Sequence, residues 1–278
     1  MITRQWLLPL ILSTLPVSFL VRADDQAGTA EVIVIGTLHK PSAKFTNDDL
    51  LRVLKQVDPS VILYELDSTF IDSRGQLRPY GTVEADAVNR FRMISPVQVL
   101  PYDIEGRNQI YEAFHYFEIQ REFESTANQL YRQDLLVPEA KSLYKQVIAD
   151  RWVRDALGQG KLELFNSANC DAALQRKHDQ WDAGAKRIVE LTPELARFRE
   201  YVAFESEFWE LRNRTMVRNI LRHARQFPGE RIVVLCGFEH RYFLVRELKA
   251  AQSKGTSSLR EFWTYARYNR ASWTDALH

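Results

Sequence analysis

Hydrophobic residues along this chain follow two regimes. Four short runs, Glu31 to Ile35, Val61 to Tyr64, Val97 to Leu100 and Arg231 to Leu235, are rich in β-branched residues and mostly do not alternate with polar ones. That is the pattern of strands covered on both faces. Between the first two lies a predicted helix with clear punctuation. Thr46 is its N-cap with Asp49 three residues on, Phe45 and Leu50 are placed as a hydrophobic staple, and Leu51, Val53, Leu54 and Val57 form the apolar face before Pro59 stops it. Thr82 to Met93 reads as the next helix. The N-terminal third is therefore β-α-β-α-β, which implies parallel strands.

From about residue 107 to 226 the pattern changes. No strand stands out, charges are frequent, and aromatic residues recur at helical spacing, as at Tyr111, Phe114 and Phe117 with Ile119. This predicts an inserted helical layer, divided into four helices by Pro138, by Gly158 with Gly160, and by Pro193. The aromatic stripe reads as core packing. After Phe227-Pro228-Gly229 the chain returns to a strand, then a helix from about Arg241 to Ala251. The segment Leu259 to His278, with Trp263, Tyr265, Tyr268 and Trp273, is expected to pack on the domain. The predicted class is α/β, a mainly parallel central sheet flanked by helices with a large helical insertion.

The first residues add a different element. Arg4 precedes an apolar run from Trp6 to Val21 that ends in Val21-Arg22-Ala23, which reads as a signal peptide at 1–23 cleaved after Ala23. A run of about 16 apolar residues is short for a spanning helix, which needs roughly 20. The expectation is a single domain over 24–278, exported to a periplasm or secreted, with no stable membrane insertion after cleavage. Loss of Arg4 and Arg22 takes the 37 basic side chains to 35 against 36 acidic ones, so no basic footprint for nucleic acid remains. Cys170 and Cys236 are the only cysteines. Cys236 ends an apolar run and reads as a small buried filler rather than half of a bridge.

Chemistry collects where the strands end. The first runs into Gly36-Thr37-Leu38-His39, the second into Glu65-Leu66-Asp67, the third into Tyr102-Asp103-Ile104-Glu105 and the last into Gly237-Phe238-Glu239-His240. In an open parallel sheet, ligands bind beyond the carboxyl ends of the strands, so these groups should converge despite their separation along the chain. Two of them share Gly-x-x-His, where glycine permits a sharp turn or a close backbone approach. Glu65 follows an apolar run, and a buried carboxylate needs a metal, a donor or an ion pair, for which Arg212 is a candidate. The remaining histidines, His115, His178, His223 and His278, lack strand-end context and read as surface residues.

With these motifs the chain resembles the TraB/Tiki superfamily, to which erythromycin esterases and the haem-associated ChaN-like proteins are related. The likeness rests on the early Gly36 to His39 motif, Glu65 after the second strand, the Arg212-Asn213-Arg214-Thr215-Met216 segment and the late Gly237 to His240 motif, spanning roughly Val32 to Leu248. The last motif departs from the family pattern in carrying Phe238-Glu239 before the histidine, which sets an extra carboxylate beside His240.

Two histidines and a glutamate are a ligand set of catalytic zinc sites, with a position left for water. The leading expectation is a hydrolase of an amide or ester bond in a peptide, ester or other small-molecule substrate. It would use a divalent ion (zinc, manganese or cobalt) on His39, Glu65 and His240. Glu239, Asp67 or Asp103 would be the general base, and Arg212 would steady an oxyanion. The erythromycin-esterase likeness implies an alternative without metal, in which His39 is the base and Glu65 orients it. The ChaN-like likeness implies a haem- or iron-binding protein, and a non-enzymatic partner-binding protein is the remaining alternative.

Overall fold

The computed structural model describes residues 28–70, 72, 81–253, 255 and 257–265. The expected signal peptide at 1–23, together with Tyr268, Trp273 and His278, lies outside the described residues. Among those described, no helix is long and apolar enough to cross a membrane.

Among the described residues, five parallel strands form one sheet: β1 (Glu31–Thr37), β2 (Val61–Tyr64), β3 (Gln98–Pro101), β4 (Arg231–Gly237) and β5 (Ser258–Arg260), in the order β3-β2-β4-β1-β5. Four are the predicted apolar runs. The fifth, three residues at an edge, is too short to carry a pattern. Both faces of the sheet are buried, which explains the missing alternation. Ile33, Ile35, Ile62, Val233 and Leu235 belong to one core, while Val32, Val34, Val61, Leu63, Ile232 and Val234 belong to the other.

Helix α1 (Asn47–Val57) starts at a capping box in which the Asp49 carboxylate accepts from the Thr46 N–H at 2.9 Å, and both staple residues, Phe45 and Leu50, are fully buried. Helix α2 (Val83–Arg92) is capped by the Thr82 hydroxyl, which accepts from the Ala85 N–H. The insertion holds six helices rather than four: α3 (Arg107–Ala113), α4 (Tyr116–Arg132), α5 (Pro138–Gly158), α6 (Leu162–Phe165), α7 (Ala168–Leu191) and α8 (Arg199–Gln226). The extra breaks are His115, which takes a left-handed backbone at the start of α4, and the single turn of α6. The layer has a core of its own, in which Phe123 and Leu130 of α4 meet Tyr144 and Val147 of α5, Ile188 of α7 and Tyr201 of α8.

The last long helix, α9 (Phe238–Gln252), begins directly after β4 with Gly237 as its N-cap. It therefore starts three residues earlier than the sequence pattern indicates, and His240 sits in its first turn rather than in a loop. The described part of the tail closes on the body as expected: Phe262 is fully buried, Trp263 and Tyr265 pack against the core, and the Tyr265 hydroxyl donates to Glu31 at 3.1 Å. Cys170 and Cys236 are both buried and unbridged.

Candidate active site

Strand order decides what meets at the carboxyl edge. Because β4 pairs with both β1 and β2, with Thr37 opposite Gly237 and Tyr64 opposite Leu235, the ends carrying His39, Glu65 and His240 are immediate neighbours. A Cβ placed on Gly237 would lie 3.5 Å from His39 Nε2, 3.6 Å from Glu65 Oε2 and 3.7 Å from His240 Cδ2. Gly237 is thus the point on which all three side chains converge. Its φ of −54° is open to any residue, so the glycine provides room and not a turn. Gly36 has a different use. A Cβ there would be 3.0 Å from Phe238 Cα, so its absence lets α9 pack onto β1.

A guanidinium occupies the centre of this convergence. Arg212, buried on α8, reaches three of the strand-end groups: Nη2 donates to Glu65 Oε1 at 2.5 Å and to Asp103 Oδ2 at 2.8 Å, Nε donates to Asp103 Oδ1 at 2.9 Å, and Nη1 donates to His240 Nε2 at 3.1 Å. An arginine can only donate, so His240 Nε2 is an acceptor and the proton sits on Nδ1, which donates to Asn213 Oδ1 at 2.8 Å. Burial, then the neighbouring Arg212, push His240 well below its ordinary pKa. The other Glu65 oxygen accepts from the Gly237 N–H at 2.5 Å. The single lone pair that a divalent ion would need on His240 Nε2 is therefore already taken by Arg212, and each Glu65 oxygen already accepts a hydrogen bond. As arranged, the donor set His39, Glu65 and His240 does not fit such an ion.

The Arg-Asn-x-x-Met segment lies on one face of a helix. Trp209, Arg212, Asn213 and Met216 follow helical spacing on α8, and each touches the strands, their ends or His240. Met216 is fully buried against the sheet, and Trp209 stacks on His240 with ring centroids 4.2 Å apart. Burial alone would pull the Arg212 guanidinium down, but Glu65 and Asp103 hold it above its ordinary value. It is a permanent buried cation whose charge is matched by two carboxylates.

His39 is arranged differently. Its Nδ1 is 3.1 Å from Glu84 Oε1, with the histidine side chain 59% exposed and the glutamate 4%. The Thr37 hydroxyl also donates to that oxygen, at 2.5 Å. Glu84 Oε2 is buried without a partner. The hydrogen bond to Glu84 raises the His39 pKa against the lowering effect of burial, with Glu65 adding to the rise. An Nδ1–H held by a buried carboxylate leaves Nε2 as the free acceptor, the tautomer a general base requires. Glu84, not Glu65, orients His39. Sequence reasoning misses it because an acid in the first turn of a capped helix already has a local explanation.

Three cavities meet at this imidazole. One of about 360 Å³ lies under the helical layer, and one of about 300 Å³ runs past Tyr64, Glu65 and Glu84; both are also lined by Gly237. The third, broad and open at about 810 Å³, is lined by His39 together with Glu65, Arg212 and His240. Arg212 therefore reaches the same space as His39.

Other expected residues take structural parts. Asp67 Oδ1 accepts from the Thr69 backbone and hydroxyl, and its Oδ2 from the Gly106 N–H. Asp103 is committed to Arg212 and Arg107. Neither is free to act as a base. Glu239 faces the cavity under the helical layer, where it pairs with Lys177 and lies 3.8 Å from Arg154. Two of the histidines that read as surface residues are not. His178 also stacks on Trp209, at 4.2 Å, and His223 is buried with Nε2 3.3 Å from the Pro101 carbonyl. Only helix packing, which a strand-end argument does not see, places them. The aromatic stripe is a cavity wall as much as a core: Tyr111 and Phe117 line the 360 Å³ cavity, and Phe117 is exposed.

No family model, curated protein or solved structure matches this chain.

Proposed function

We propose that the chain is an exported hydrolase that cleaves an ester or amide bond, using His39 as general base on water without a resident metal. The observation that carries this reading is the His39–Glu84 pair, an accessible imidazole backed by a buried carboxylate and opening onto the cavities at the sheet edge. The resemblance to the TraB/Tiki superfamily supports it, through the relatives that work without a metal.

The chemistry follows from the atoms in place. His39 Nε2 takes a proton from water as the oxygen attacks a carbonyl carbon, and Glu84 stabilises the imidazolium that forms. Negative charge on the carbonyl oxygen is met by the positive end of α9, which begins at Gly237, and by the field of Arg212. Collapse of the intermediate passes the proton from His39 to the leaving alkoxide or amine. Glu65 and His240 keep Arg212 in register and pack around Gly237.

Hydrolysis of p-nitrophenyl acetate and of a panel of amides by the full chain tests the reading. Activity should survive treatment with EDTA and 1,10-phenanthroline, and His39→Ala should lower it by about a hundred- to ten-thousand-fold. Loss of activity on chelation, restored by zinc, manganese or cobalt, would instead support the metal-dependent reading. An unchanged rate in His39→Ala would remove His39 from the chemistry.

A further inference from the structure

The cavity under the helical layer has an unbalanced lining. Its two cations, Arg154 and Lys177, face three carboxylates, Asp182, Glu205 and Glu239; Lys177 pairs with Glu239, while Arg154 is bound to Asp155 at 2.5 Å with its Nη1 3.8 Å from Glu239. Glu205 and Asp182 have no basic side chain within ion-pair distance among the described residues. Neutral donors hold Glu205: Trp181 Nε1 donates to its Oε2 at 2.7 Å, and the Tyr116 hydroxyl donates to its Oε1 at 3.5 Å. The walls around it are aromatic, formed by Tyr111, Tyr116, Trp181, Phe208 and Trp209. In the same wall His178 Nε2 is buried without a hydrogen-bond partner, 3.7 Å from Glu239. A pocket of about 80 Å³ that His39 does not line is also bordered by Glu205 and Trp181, together with Arg154, Lys177 and His178, so this end of the cavity lies away from the base.

Rings around a carboxyl group that lacks a counter-ion form a box for a cation. The negative faces of the rings and the carboxylate act on the same charge, and exclusion of water strengthens both. Building on the hydrolase reading, we infer that the part of this cavity walled by Tyr116, Trp181 and Phe208 and closed by Glu205 and Asp182 binds an ammonium group of the substrate. A substrate with an amine at one end and its ester or amide bond at the other would then lie along the cavity with the bond beside His39.

Titration of the box agrees with its geometry. Burial raises the Glu205 carboxyl to about 7 and also raises Asp182, as expected of acids that wait for a cation. The charged and titratable groups around Glu205 are Lys177, His178 and Asp182 from α7, Tyr111 from α3, Tyr116 and Glu124 from α4, Asp150, Arg151 and Arg154 from α5, and Tyr201 from its own helix. None forms an ion pair with it, and Arg151 is itself paired with Glu124. An arriving ammonium should therefore lower the Glu205 pKa and release a proton near pH 7.

Calorimetric titration of the full chain with phenethylamine and its neutral near-isostere 2-phenylethanol tests this. At pH 7.5 the amine should bind about tenfold more tightly, with heats that depend on the ionisation enthalpy of the buffer. Both Glu205→Gln and Asp182→Asn should narrow the preference, the first to within about twofold. His39→Ala should leave binding unchanged while removing hydrolysis, so failure of the hydrolase reading and failure of the subsite give different results. Equal binding of amine and alcohol, tighter binding of phenylacetate, or no binding of the amine would overturn the inference.

Discussion

Arg212 donates Nη1 to His240 Nε2 at 3.1 Å while its Nη2 holds Glu65 and Asp103. A histidine that a metal would claim is thereby bound to a fixed cation, and two carboxylates gain a counter-charge. Removing one partner of such a buried network leaves the others uncompensated. Arg212→Ala should cost about 3–5 kcal/mol in urea unfolding. Arg212→Lys should recover only part, because one ammonium cannot span Glu65, Asp103 and His240 together. A loss below about 1 kcal/mol in the alanine variant would mean that the network contributes little.

In the proposed mechanism His39 can act as a base only when neutral, so kcat/KM should rise with pH, with a midpoint above the ordinary imidazole value of about 6.5. In Glu84→Gln the midpoint should move to lower pH, because the hydrogen bond to the carboxylate is the main cause of the elevation and burial opposes it. The plateau rate should fall as well. NMR titration of the His39 ring reads the same shift without substrate, and an identical midpoint in the variant would refute the pairing.

The two motif glycines should separate folding from activity. Gly237→Ala puts its methyl 3.5–3.7 Å from His39, Glu65 and His240, an ordinary contact distance. Stability should stay within about 1 kcal/mol, while activity drops by about a hundredfold as the space for water is filled. Gly36→Ala sets a methyl 3.0 Å from the Phe238 backbone and should cost about 1–3 kcal/mol. Thermal melts and rates measured on both variants check the contrast.

Glu205 makes stability depend on pH in a defined direction. Its folded pKa is raised from 4.5 to about 7, so between those values the folded chain binds the extra proton and stability falls as pH rises. The full effect is on the order of 3 kcal/mol. Below pH 4.5 the contribution is flat, and Glu205→Gln should flatten the slope between 4.5 and 7. Urea midpoints measured across that range would show an unaltered slope in the variant if another group were responsible.

The sheet and the meeting of His39, Glu65 and His240 are legible in the sequence because continuous β-branched runs mark doubly covered strands, and parallel strands gather their ends at one edge. The chemistry at that edge is less so. An ion pair between Glu65 and Arg212 can be suspected, but nothing along the chain marks that the same arginine also takes Asp103 and His240, since an arginine on a charged helix has many partners within reach. Glu84 and His178 share this difficulty: each owes its role to a helix packed against another element, and each has an ordinary local setting. The start of α9 is hard to place because Gly237 ends the strand and caps the helix at once.

The position of β4 also bears on how the molecule comes into being. Strands β1 and β2 are separated by a gap that only residues 231–237 fill, so an emerging chain has neither of their inner edges paired until this late segment has been made. Such long-range pairing slows folding, and open edges invite association with other chains. A chain cut before residue 231 would lack the strand that joins the two halves of the sheet and, with it, Gly237 and His240. Sheet closure and the meeting of His39, Glu65 and His240 are one event.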